Sequence, residues 1–107
     1  MEEERRYTLV FDTEVEQDLD AIDVKYHSLI RRVIREQLEL EPEVETRNRK
    51  PLRTPAFRGA TWEIRFGAAN RFRVLYAVDV ENNQVAILAI GRKERNRLMV
   101  GKDEVKP

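Results

Sequence analysis

The chain has 107 residues, 41% hydrophobic and 37% charged, with one His and no Cys. Net charge is zero, yet residues 1–46 carry 14 acidic and 6 basic groups and residues 47–107 carry 6 acidic and 14 basic. Such a division points to a polyanion or an oppositely charged protein as partner, or to two surfaces that compensate each other in the fold. The length suits a single domain over residues 1–107, and the absence of Cys excludes disulfides and thiolate metal sites.

The opening Met1-Glu2-Glu3-Glu4-Arg5-Arg6 has no apolar segment of signal-peptide length behind it, so the reducing cytoplasm is the expected compartment. Tyr7 to Phe11 reads as a short strand with Tyr7, Leu9 and Phe11 on one side. Thr13 with Glu16 has the spacing of a capping box, predicting a helix that buries Val15, Leu19 and Ile22. A stronger stripe, Tyr26, Leu29, Ile30, Val33, Ile34 and Leu38, predicts a second helix that joins the first near Asp23. The stretch from Pro42 to Gly59 reads as a long basic loop with Pro51, Pro55, Arg47, Arg49, Lys50, Arg53 and Arg58. Unstructured connections above about 12–15 residues tend to be functional or disordered.

Three strands follow: Thr61 to Phe66, Arg71 to Val78 and Val85 to Gly91. Their short connections require antiparallel neighbours. The longest aliphatic run, Val85 to Ile90, falls far short of the ~20 residues a membrane helix needs, so no membrane association is expected. The fold class is therefore α+β: an N-terminal strand, a two-helix hairpin and a three-stranded antiparallel meander, with the helices packed on one face of the sheet. Alternation puts Trp62, Ile64, Phe66, Phe72, Val74, Tyr76 and Val78 on the core face. The opposite face then carries Glu63, Arg65, Arg71, Arg73 and Leu75. Matching the apolar faces demands an even register sum. With Phe66 opposite Asn70, Arg65 faces Arg71 and Glu63 faces Arg73 as an ion pair.

The segments Trp62 to Phe66, Asn70 to Tyr76 and Val85 to Arg95 resemble the RelE/ParE superfamily of toxins from bacterial type II toxin–antitoxin systems, and the likeness spans nearly the whole chain. The resemblance implies a toxin that cleaves mRNA in the ribosomal A site without metal or cofactor and is silenced by a cognate antitoxin. It also admits two alternatives, a ParE-like DNA gyrase inhibitor and a catalytically inactive RNA-binding member. By motif position, the catalytic candidates are Arg65, Arg73, Lys93 and Arg95, with Glu63 standing where RelE-like nucleases have Lys. Met99 takes the place of a family Tyr. Arg47, Arg49, Lys50, Arg71, Arg92 and Arg97 are the expected RNA-binding cations. Arginine is a poor base, which leaves Glu63, Lys50, Lys93 or a ribosomal group to move protons. An ion-pair role for Glu63, core roles for Trp62 and Tyr76, and a non-catalytic role for His27 are the simpler expectations. The apolar tail Leu98-Met99-Val100 is a candidate antitoxin dock, or else packs on its own sheet.

Overall fold

A computed structural model describes residues 6–53 and 57–106; Met1 to Arg5, and Pro55 of the expected loop, lie outside the described residues. In chain order the elements are strand β1 (Thr8–Phe11), helices α1 (Val15–Asp20) and α2 (His27–Leu38), then strands β2 (Arg49–Pro51), β3 (Trp62–Phe66), β4 (Phe72–Asp79), β5 (Gln84–Glu94), β6 (Arg97–Val100) and β7 (Asp103–Val105). The expected strand, helix pair and meander are all present. The sheet, however, runs β2-β3-β4-β5-β6-β7, and β1 joins it by pairing parallel to the first half of β5, from Thr8↔Gln84 to Phe11↔Ile87.

The stripe of α2 buries Ile30, Ile34 and Leu38, with Tyr26, Leu29 and Val33 partly covered at its margins. The capping box does not form. Asp12 Oδ1 accepts from the Glu14 amide at 3.1 Å instead, and Glu14 caps the helix without a side-chain bond. Helix α1 ends at Asp20, and Nε2 of His27 lies 2.7 Å from the Leu19 carbonyl oxygen and 2.8 Å from that of Ile22. As the Nε2–H tautomer, His27 donates to these two carbonyls, one in the last turn of α1 and one just beyond it, the former also accepting from the Ile22 amide. The single imidazole is thus a helix-end clamp.

These helices cover one face of the sheet, where Ile64, Phe66, Phe72, Val74, Tyr76, Val85, Ile87 and Ile90 complete the main core. That Ile87 and Ile90 share a face breaks strict alternation, and the cause is a bulge. Leu75 pairs with Ala89 but Tyr76 pairs with Ile87, so Leu88 is an extra residue.

Part of the opposite face is also closed. Leu75, Ala89, Ala60 and Val100 form a second buried cluster with Leu52, Phe57, Leu88 and Val105 around it. Of the two expectations for the tail, packing on its own sheet is the one seen. Leu98, Met99 and Val100 form β6, antiparallel to the end of β5, and Val100 is fully enclosed. The long basic loop is corrected, since it contributes β2 to the sheet and a 3-10 turn at Phe57–Gly59 to the second cluster.

Candidate nucleic-acid interface

Strands β2, β3 and β4 bring Lys50, Glu63, Arg65 and Arg73 onto the face opposite the helices, beyond the edge of the second cluster. Lys50 pairs with Glu63 across β2 and β3, and Arg65 with Arg73 across β3 and β4. The register sum is even, as apolar matching requires, but it is displaced by two from the expected one. Phe66 faces Phe72 rather than Asn70, and Glu63 faces Leu75 rather than Arg73. The displacement comes from the turn. Gly67, Ala69 and Asn70 all adopt positive φ around a 3-10 turn at Ala68–Asn70, so the strand resumes only at Phe72.

Glu63 is 5% exposed and sits among three cations. Arg65 donates from Nε to Glu63 Oε1 at 3.0 Å, with its Nη2 also at 3.0 Å from that oxygen. Lys50 Nζ lies 3.7 Å from Oε1 and Arg73 Nη1 4.0 Å from Oε2. Burial holds the Arg73 guanidinium below the ordinary arginine range, and the charge of Arg65 acts the same way against the opposing pull of Glu63. Arg73 Nε is buried with no hydrogen-bond partner among the described residues. The cluster therefore carries an excess of two positive charges, and Arg73 holds unused donor capacity.

The remaining candidates divide. Lys93 is exposed and follows Gly91, the β5 partner of Arg73, by two residues, which places it on the same face. Arg95 is exposed at the tip of the β5–β6 turn with φ 58°. Arg47 is exposed just before β2. Arg97 is exposed and 3.9 Å from Glu104.

Three of the expected RNA-binding cations are engaged within the chain. Arg49 is 3% exposed, with Nη1 donating to the carbonyls of Glu41 and Val44 at 2.6 and 2.9 Å and Nη2 to Gln37 Oε1 at 2.7 Å, so it ties the end of α2 to β2. Arg92 is held by Glu94 at 3.0 Å and by the Gly101 carbonyl at 2.9 Å, anchoring the tail. Arg71 leaves the Arg65 face altogether. It caps the turn before β4, lies over the Tyr26 ring at 4.6 Å and donates to the Tyr26 hydroxyl at 2.8 Å.

Sequence reasoning also missed a buried pair. Asp18 on α1 is 1% exposed and accepts from Arg58 at 2.7 and 3.1 Å. A signal existed, because Asp18 lies at i+3 from Val15 and so within the apolar stripe of α1.

Residues 17–102 match the family described as phage derived protein Gp49-like (DUF891). The chain belongs to that family. Among solved structures, the Gp49-like chain is similar to one chain of the toxin–antitoxin complex RelBE2 from Mycobacterium tuberculosis, at 27% identity with a TM-score of 0.68, covering 87% of this chain and 98% of that one. No curated protein matches. Family and fold together make this a RelE-like toxin chain, and the expected resemblance holds. Among the described residues, no helix is long and apolar enough to cross a membrane.

Proposed function

We propose that this RelE-like chain is the toxin of a two-component toxin–antitoxin module and that it cleaves mRNA on the ribosome. The observation that carries the reading is the convergence of Lys50, Arg65 and Arg73 on adjacent strands, with Lys93 following along β5. Cleavage by attack of a ribose 2′-hydroxyl on the adjacent phosphate builds negative charge on the phosphorus oxygens, and fixed cations in a partly desolvated site stabilise that charge. Strand-borne side chains hold such groups more rigidly than loops do.

Guanidinium groups stay protonated and cannot accept the hydroxyl proton. The arginines thus contribute charge and positioning, and proton acceptance falls to Glu63, Lys50, Lys93 or a ribosomal group. The antitoxin partner is supported by the related complex, in which a toxin and an antitoxin are found together.

The test is purified protein in cell-free translation with mapping of mRNA 5′ ends, run beside a gyrase supercoiling assay. Cuts within codons should appear, and Arg73→Ala should lower their rate about 100-fold, the scale of losing one oxyanion-stabilising donor. Intact message with blocked supercoiling would replace this reading with the gyrase one.

A further inference from the structure

The carboxylate of Glu63 is gripped unevenly. Two nitrogens of Arg65 converge on Oε1 at 3.0 Å and Lys50 approaches the same oxygen at 3.7 Å. A well-matched guanidinium–carboxylate fork engages both oxygens with parallel bonds. Here the nearest cation to Oε2 among the described residues is Arg73, at 4.0 Å, beyond hydrogen-bond reach. Arg73 keeps its Nε buried and unpartnered. Three cations have therefore gathered around an anion that satisfies one of them.

Without an anion between them, Arg65 and Arg73 would stand directly opposite each other across the strands as a like-charge pair. Something negative must hold them together when nothing is bound. We propose that Glu63 is an internal stand-in for phosphate: it keeps Lys50, Arg65 and Arg73 assembled in the empty site and yields Arg65 when a phosphodiester enters. The inference rests on the reading of this face as a phosphodiester contact and adds its control to it. Arg65 is the group that moves: of the three cations it alone hydrogen-bonds Glu63, and its side chain is 33% exposed against 18% for Arg73. Lys50, 51% exposed, stands at 3.7 Å with no hydrogen bond to release. A phosphodiester presents two non-bridging oxygens on an untethered group, so it can meet Arg65 and Arg73 together where the Glu63 carboxylate does not.

The consequence is that Glu63 lowers affinity while helping the face to fold. The probe is a 2′-O-methyl hexanucleotide, which lacks the attacking hydroxyl and so reports binding alone, titrated by fluorescence anisotropy against the full chain. Glu63→Gln should bind about tenfold more tightly at low salt, since one competing charge beside the phosphate is gone. The gain should shrink as salt rises. In an Arg65→Ala background the same substitution should lose most of that gain, because there is no arginine to release.

A measurement on the unaltered protein guards against misfolding of the variant. The 15N–1H resonance of Arg65 Nε should shift on titration with the hexanucleotide as its bond to Glu63 opens. Should the unaltered chain bind while Glu63→Gln binds no better and Arg65 Nε stays still, Glu63 is a fixed strut and this inference is overturned, with the RNA reading intact. Absence of binding by both proteins overturns the inference, while the RNA reading stands or falls with the translation assay.

Discussion

Asp18→Ala is a severe single change away from the cation cluster. Strand β5 is flanked on one edge by β1 as far as Ile87 and by β6 only from Arg92. Between them, among the described residues, no strand pairs with residues 88–91 on that edge, and the Leu88 bulge lies in the gap. Two side chains take the place of a strand: Asp18 Oδ2 accepts from the Ile90 amide at 3.1 Å, and Arg58 Nη1 donates to the Leu88 carbonyl at 3.0 Å. The same two side chains bind each other at 2.7 and 3.1 Å.

Removing Asp18 leaves Arg58 partly buried with the exposed Glu14 carboxylate, 3.1 Å away, and the charge of Asp12 to balance it. Breaking a buried pair from one side costs about 3–5 kcal/mol, and the retained Glu14 contact favours the lower end. Orphaning the Ile90 amide adds about 1 kcal/mol or more. A loss of roughly 4 kcal/mol follows, which at this chain length lowers Tm by about 15 °C. Urea unfolding followed by tryptophan fluorescence and by circular dichroism measures it, with the slope m unchanged if only stability moves. Replacing both partners by apolar residues, Asp18→Leu with Arg58→Met, should recover most of the loss, since no buried charge is then unpaired. A loss below about 1 kcal/mol for Asp18→Ala would refute the idea that this pair closes the gap in the sheet edge.

Three further outcomes follow from named contacts. Gly91→Ala places a Cβ 2.8 Å from Leu98 Cδ1 and 2.9 Å from the Met99 carbonyl oxygen, so it should push β6 off β5 at about 1–3 kcal/mol, read as faster amide exchange in β6 and β7. Tyr76→Phe removes a buried hydroxyl that donates to the Pro42 carbonyl at 2.7 Å and should cost about 1–2 kcal/mol at pH 7. Burial raises the Tyr76 phenol well above its ordinary value near 10, so its stabilisation is complete below pH ~10 and fades above as the unfolded chain ionises first. The stability gap between the two proteins should therefore narrow in alkaline titration. His27→Ala strips the donor from the Leu19 and Ile22 carbonyls and should cost about 1 kcal/mol in thermal melts, with faster exchange confined to the end of α1.

What the sequence made legible is what periodicity encodes. The stripe of α2 and the alternating faces of β3 and β4 appear in the structure as read, because each element buries one face and the pattern has a single solution. The register of β3 against β4 needed the turn as well. Ala69 and Asn70 enter the left-handed region there, a conformation that residue type signals weakly for Ala. The parallel pairing of β1 with β5 joins segments more than seventy residues apart and leaves no local trace. Arginines posed the hardest problem, since the same side chain serves as an internal tie or a surface cation. Arg49 and Arg92 satisfy carbonyls of neighbouring segments, Arg71 lies on Tyr26, and only the tertiary fold distinguishes these from Arg73.

The two halves of the face opposite the helices depend on each other. Leu75 and Ala89 on the central strands are roofed by Val100 and flanked by Leu52 and Phe57, and this apolar cluster borders Glu63 and Arg73 through the Glu63↔Leu75 pair. Water is thereby excluded from one side of the cations, the condition under which a fixed charge stabilises a developing one most strongly. Gly91 is where the two meet: it pairs with Arg73 on β4, and its missing side chain admits Leu98 and Val100 from the tail. A tail that folds over the sheet at that point helps keep the cation cluster dry, so loosening it by Gly91→Ala should weaken the proposed phosphate contacts at Arg73 without touching a charged residue.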